Sequence, residues 1–177
     1  VEELEKYNIQ AYKSASADLS NYDLLNRIAK TGKPMICSTG MSEESEIIDT
    51  VQILKSLGSK YALLHCNSTY PAEVKDLNLS CIKTLKKRYG CEVGYSGHEY
   101  GLTTTISSIC FGATIIERHV TLDKAMWGTD QMVSVEPHGL IKLVRGIREL
   151  ESAIGNGEKV VTEGEKPFRD KLRKING

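Results

Sequence analysis

The sequence lacks several features, and each absence removes a class of function. No apolar run approaches the roughly 18 residues of a membrane span, and no signal-peptide pattern opens the chain. Lys plus Arg and Asp plus Glu both total 23, so there is no excess charge for a dedicated nucleic-acid or polyanion surface. The five cysteines (Cys37, Cys66, Cys81, Cys91, Cys110) are odd in number, scattered and form no CxxC pair. Zinc-ribbon and redox-motif readings fall away, and reduced, partly buried thiols are expected. No GxGxxG follows the first strand-like run, which counts against a dinucleotide-binding fold. A soluble, cytoplasmic protein is therefore expected, with neither a nucleic-acid nor a membrane partner. The first residue is Val, and VEELEKYNI reads as the middle of a helix, so a piece of a longer protein is expected as well.

What is present is a regular alternation. At 177 residues the chain is long enough for a substantial core without staples. Apolar runs of strand length begin near Ala11, Met35, Tyr61, Glu92 and Thr114, spaced by 24, 26, 31 and 22 residues. Helical patterns lie between them: Leu24, Leu25 and Ile28; Ile47, Val51, Leu54 and Leu57; Leu79, Ile82, Leu85 and Tyr89; Leu102, Ile106 and Ile109; and Leu140 to Ile154 after Pro137. The second has Glu43, Glu44 and Glu46 in its first turn and Gly58 just past its end, acids at the positive pole and glycine as stop. This is the rhythm of repeated β/α units with a parallel sheet. The strand runs are nearly continuous in apolar character, as expected where both faces are covered.

A doubly wound sheet and a (β/α)8 barrel both fit that rhythm, and the polar residues decide between them. They fall at strand C-terminal ends: Lys13 and Ser16, Ser38 and Thr39, Ser68, Ser96 and His98, Arg118 and His119. Only in a barrel do those ends converge on one mouth. The expected fold is therefore the TIM (β/α)8-barrel type, with residues 1–157 as part of the barrel and 158–177 as a charged linker or surface extension.

His98 and His119 close two strand runs twenty-one positions apart, EVGYSGH and TIIERHV. Two neutral imidazoles with Asp130 or a substrate oxygen nearby suit a divalent metal with open positions, whether manganese, iron, zinc or magnesium. One strand-capping histidine and one hydrogen-bonded core histidine fit as well. His65, inside YALLHC, reads as a core residue, and His138, at a helix start, as a solvated one. Lys13 amid Ser16, Ser38, Ser68 and Ser96 resembles a charge with hydroxyl donors around an anion, or a Schiff-base nucleophile; serines also simply end strands. Glu117 and Arg118 read as a barrel-wall ion pair. Asp18 and Glu99 are candidate acids or helix caps. Trp127, the only tryptophan, would cover a sugar face or pin its loop.

Taken together, these segments resemble the sialic acid synthase family. The motifs are Ala11–Lys13 with Ser16, Lys33-Pro34 through Ser38-Thr39-Gly40, Leu63–Cys66 with Tyr70-Pro71, Gly94–His98, Glu117–His119 with Gly128 and Asp130, then Ser134, Glu136-Pro137 and Gly164–Pro167. The resemblance implies strands four to eight of a (β/α)8 barrel, followed in the family by a small antifreeze-like domain that is absent here. It makes His98 and His119 ligands of a divalent metal, Mn2+ first, with Mg2+ or Co2+ as alternatives. Lys13, Ser16, Ser38, Ser68 and Ser96 would hold phosphoenolpyruvate. Asp18, Tyr70 and Asp130 would contact the amino sugar or the water-bearing side of the site, and Asp130 joins Lys13 and the two histidines as catalytic. The whole protein would be a homodimer.

The implied reaction condenses phosphoenolpyruvate with an N-acetylated hexosamine to a nine-carbon ulosonic acid, with loss of phosphate. Gly97, Asp18, Ser68 and the WGTDQ turn depart from common bacterial forms on the sugar side, so the sugar and its phosphorylation stay open. Two alternatives remain: a pyruvate-type aldolase with a Schiff base on Lys13, and a non-catalytic half-barrel that binds or assembles. Catalytic groups of the early strands would lie upstream, so little turnover is expected of this chain by itself.

Overall fold

A computed structural model describes residues 1–174. Five strands form one sheet in chain order, every neighbouring pair parallel: β1 (Tyr12–Ser14), β2 (Met35–Ser38), β3 (Tyr61–Cys66), β4 (Glu92–Gly97) and β5 (Ile116–Arg118). Each crossover carries helical structure. After a short α1 (Glu2–Glu5), α2 (Tyr22–Ala29), α3 (Glu44–Ser56), α4 (Cys81–Tyr89) and α5 (Thr103–Ser107) connect successive strands, and α6 (Pro137–Ile154) follows β5. The opening VEELEKYNI yields only the four residues of α1.

The helix boundaries follow the expected chemistry. Asn21 caps α2 by accepting from the Leu24 N–H at 3.2 Å. Glu43 and Glu46 form a reciprocal capping box at the start of α3. Gly90 ends α4 with φ of 63°, a left-handed conformation that costs glycine no Cβ clash. Pro137 occupies the first turn of α6, where its missing N–H costs nothing.

Strand alternation sorts residues onto two faces. Tyr12, Met35, Cys37, Leu63, Val93 and Tyr95 pack outward against Leu25, Ile28, Ile47, Val51, Leu54, Ile82 and Leu85 of the helices, forming the core. On the opposite face the register aligns Lys13 with Ile36, Ile36 with Ala62, Ser38 with Leu64, Leu64 with Gly94, Cys66 with Ser96 and Ser96 with Glu117. Gly94 is required there: a Cβ would sit 2.3 Å from the Ile115 carbonyl and 2.6 Å from Leu64 Cδ2.

The sheet curls rather than lying flat. Five flat strands would put their outer members roughly 19 Å apart, at about 4.8 Å per step. Instead, the Lys13 ammonium on β1 reaches within 3.5 Å of the Glu117 carboxylate on β5. The chain is a half-barrel of β/α units with its inner face lined by polar groups at the C-terminal strand ends.

Residues 155–174 are exposed and carry one short helix, α7 (Lys166–Leu172). The last three residues of the expected 158–177 extension lie outside the described residues. No helix among the described residues is long and apolar enough to cross a membrane.

Candidate active site

The C-terminal strand ends converge on one open cavity of about 490 Å3. Lys13, Ser16, Ser38, Ser68, Tyr70, Ser96, His98 and His119 all line it. Two expected residues stand apart from that lining. Asp130 approaches from the edge, its Oδ2 3.6 Å from His119 Nδ1. Asp18 sits in a 3-10 turn with its carboxylate accepting from the Asn21 side chain at 3.4 Å, so the structure does not bring it into the cavity.

The two histidines lie at adjacent strand ends with ring centroids 5.2 Å apart, edge to face. Tyr70 stacks on His98 at 4.2 Å and meets His119 at 5.5 Å, so one aromatic wall orients both. His98 Nδ1 lies 2.6 Å from the Asn67 carbonyl. A carbonyl only accepts, so in the neutral ring Nδ1 carries the hydrogen and Nε2 keeps its lone pair. This backbone partner fixes the tautomer, as a carbonyl or carboxylate accepting from the far ring nitrogen does for ligating histidines. Among the described residues no group of three or more His, Cys, Asp or Glu side chains is disposed to hold a metal. What the chain itself offers is the imidazole pair.

The serines are not simple strand terminators. Ser38 and Ser68 are hydroxyls at the cavity, yet their oxygens are buried without a hydrogen-bond partner. Such groups are uncommon, because a buried unpaired hydroxyl costs about 1–3 kcal/mol. Ser16 Oγ accepts from the Gly40 N–H at 3.1 Å. Gly40 is what lets these groups converge: a Cβ there would meet Ser68 Oγ at 2.1 Å and Ser16 Oγ at 2.8 Å.

Glu117 was missed as a site residue, and its expected ion pair with Arg118 does not form. Neighbours on a strand point to opposite faces. Glu117 turns inward, accepting from Ser96 Oγ at 2.7 Å and pairing with Lys13 at 3.5 Å. Arg118 turns outward to Glu99 at 3.5 Å, with both side chains almost fully buried. Glu99 is accordingly neither a helix cap nor a free acid. Its carboxylate also accepts from Tyr95, Thr104 and Thr105 at 2.9, 2.7 and 2.7 Å. Burial opposes its charge, but the threonine hydrogen bonds, its own backbone and Arg118 outweigh burial and hold the carboxyl below its ordinary value.

Cys66 lines the cavity, and burial pushes its thiol up against the lowering influence of the neighbouring Ser96, Ser16 and Ser68 hydroxyls, leaving it protonated. Burial likewise raises Tyr70, which stays a neutral phenol. His65 is the expected core histidine, its Nε2 2.7 Å from the Leu77 carbonyl, and His138 is exposed. Trp127 is 99 % exposed and packs its loop against nothing, so it does not serve as a pin.

A curled, all-parallel sheet with a polar cavity at its C-terminal strand ends places the chain among proteins of the (β/α)-barrel type. The chain belongs to the NeuB family, whose profile matches residues 1–159. It is 37 % identical over 175 residues to human N-acetylneuraminate-9-phosphate synthase, covering 98 % of this chain and 49 % of that protein. It is 36 % identical over 177 residues to N,N'-diacetyllegionaminic acid synthase of Campylobacter jejuni, covering 98 % and 53 %. The crystal structure of N-acetylneuraminic acid (sialic acid) synthetase from Leptospira borgpetersenii, in complex with citrate, superposes with a TM-score of 0.86 at 36 % identity, covering 98 % of this chain and 62 % of that one. The chain spans about half the length of the curated relatives it matches.

Proposed function

We propose that the whole protein condenses phosphoenolpyruvate with an N-acetylated hexosamine, giving a nine-carbon sialic-acid-like ulosonic acid and phosphate. The observation that carries this reading is the contrast within one cavity: unpartnered Ser38 and Ser68 hydroxyls beside Lys13 on one side, and the His98–His119 pair on the other. The first cluster suits a small dianion, because buried hydroxyls without protein partners are satisfied by ligand oxygens and Lys13 supplies charge. The second suits the electrophile. Relatives named as N-acetylneuraminate-9-phosphate and diacetyllegionaminic acid synthases support the same chemistry.

In this reading His98, through Nε2, and His119 would hold a divalent ion, Mn2+ first. With ring centroids 5.2 Å apart, the two imidazoles are close enough that both would reach one ion. When bound, such an ion supplies Lewis-acid polarisation of the sugar aldehyde. Lys13, Ser38 and Ser68 orient phosphoenolpyruvate so that its C3 faces that carbonyl, which is a gain in proximity and charge neutralisation. C3 attacks the aldehyde carbon, water adds at C2, and the C2–O bond breaks with release of phosphate. Glu117, bridging Lys13 and Ser96, and Asp130, beside His119, are the carboxylates available to handle the water's proton.

The contacts of Lys13 count against a Schiff base. Its Nζ donates to the Ser14 carbonyl at 2.9 Å and faces Glu117 at 3.5 Å, so it is engaged by the protein rather than presented to a substrate carbonyl. Phosphate release from phosphoenolpyruvate by the full-length protein with Mn2+ tests the proposal, comparing N-acetylmannosamine, its 6-phosphate and a 2,4-diacetamido-6-deoxy hexose. Release that depends on one of the sugars is expected. No release with any of them despite bound Mn2+, or a borohydride-trapped adduct on Lys13, would overturn it. Residues 1–177 assayed alone are expected to show little turnover, because a half-barrel does not enclose the cavity.

A further inference from the structure

We propose that the buried Glu99–Arg118 pair is a positioning device that sets the spacing of His98 and His119 and draws the Asp130 segment against them. Glu99 directly follows His98, and Arg118 directly precedes His119. The register of β4 and β5 ends at Gly97 opposite Arg118, so both histidines lie one residue beyond the ladder that would hold them side by side. Arg118 takes over where the ladder stops. Its Nη2 donates to the Glu99 carbonyl at 2.7 Å and to the Val133 carbonyl at 3.3 Å, and its Nη1 donates to the Gly101 carbonyl at 2.9 Å and Thr105 Oγ1 at 2.7 Å.

One guanidinium thereby fastens three segments: the backbone just after His98, the start of α5, and the turn that follows Asp130. Asp130 is tied to that turn by its carbonyl, which accepts from Ser134 Oγ at 2.7 Å. The carboxylate of Glu99, 3.5 Å from Arg118 and held by Tyr95, Thr104 and Thr105, keeps the guanidinium in one orientation. Gly97 clears the space, since a Cβ there would press within 2.8 Å of Glu99 Oε2 and 3.0 Å of Thr105 Oγ1.

Stability alone is a poor reason for such a pair. Desolvating two charges costs about as much as their attraction returns, and apolar replacements of buried pairs are often neutral. A planar fork of five donors in fixed geometry offers positional definition, which lysine cannot reproduce. The pair acts through the histidines, because both guanidinium NH2 groups of Arg118 and the Glu99 carboxylate are taken up by protein partners.

This inference rests on the proposed function, and the experiment separates the two. In the full-length protein, Arg118→Lys, Glu99→Gln and the double variant Glu99→Gln/Arg118→Met are compared with the unmutated protein after circular dichroism confirms the fold. Three readouts are taken: Mn2+ affinity by electron paramagnetic resonance, kcat and KM for phosphoenolpyruvate, and the nuclear Overhauser effect between the His98 and His119 rings in the metal-free protein. Expected in the folded variants are a loss of Mn2+ affinity of about tenfold or more, a matching fall in kcat with KM for phosphoenolpyruvate nearly unchanged, and a weakened ring-to-ring effect. A lowered melting temperature with Mn2+ affinity and the ring-to-ring effect intact would overturn the proposal. Should the unmutated protein bind no Mn2+, the functional reading falls, and the ring-to-ring effect alone decides the positioning role. Should Arg118→Lys fail to fold, Glu99→Gln, which keeps the size and hydrogen bonding of the side chain, decides it.

Discussion

Lys13 and Glu117 sit on the first and last strands of the sheet, yet their charged ends are 3.5 Å apart. A contact between the two outer strands exists only because the sheet curls, and Ser96 donates to the same Glu117 carboxylate at 2.7 Å. Each partner keeps about a third of its side chain exposed, so the pair contributes at most about 1 kcal/mol to stability. Its value lies in where it holds the ammonium. Lys13→Met is therefore expected to leave the melting temperature almost unchanged while lowering kcat/KM for phosphoenolpyruvate about 30-fold or more, the loss of about 2 kcal/mol from a charge-assisted contact. Steady-state kinetics beside a melting curve checks this.

Ser38 and Ser68 offer the opposite separation of stability from binding. Their buried hydroxyls have no protein partner, so Ser38→Ala and Ser68→Ala remove a cost rather than a bond. The unliganded variants are expected to be as stable as the parent or more so. Affinity for phosphoenolpyruvate is expected to fall by about 1 kcal/mol each, roughly fivefold. Denaturant titration and calorimetry of ligand binding test the two halves of the prediction.

Gly40 allows the anion-facing groups to converge. A Cβ at 2.1 Å from Ser68 Oγ and 2.8 Å from Ser16 Oγ forces both hydroxyls to move. Gly40→Ala is expected to destabilise the protein by about 1–3 kcal/mol through overpacking and to impair phosphoenolpyruvate binding more than Ser68→Ala does. A binding constant equal to that of the parent would contradict the placement of these groups.

His65 carries a pH signature. Burial pushes its imidazole below the ordinary value of 6.5, against the raising effect of the Leu77 and Asn78 carbonyls. The native state thus binds this proton less readily than the unfolded chain. Its contribution to stability is complete above pH 6.5 and is lost as the pH falls through the unfolded value towards the lower folded one. His65→Gln retains an N–H for the Leu77 carbonyl and does not titrate. The fall in melting temperature between pH 7 and pH 5 is expected to be shallower in this variant. Equal slopes in both proteins would refute it.

The five strands, their helices and the two histidines at strand ends were legible in the sequence. So were the ends of α3 and the start of α6. Each of these is local, resting on apolar period, an acid or proline at a helix start, or a glycine at its end. Because polar residues recurred at successive strand ends, even the convergence of Lys13, Ser38, Ser68 and Ser96 was readable once a barrel was assumed.

What the sequence did not show was partner choice. Glu117 and Arg118 are adjacent and oppositely charged, and chain order pairs them, whereas strand alternation sends one to Lys13 and the other to Glu99. Asp18 is near the first strand in sequence, but a 3-10 turn carries its carboxylate to Asn21 and out of the cavity lining. Trp127 reads as covering a sugar face or pinning its loop, and its 99 % exposure removes the second. Local pattern is set by the bonds along the chain and is therefore written in the sequence. Which charge meets which across the cavity depends on register, face and curvature, and those are decided only when the strands pair and the sheet curls.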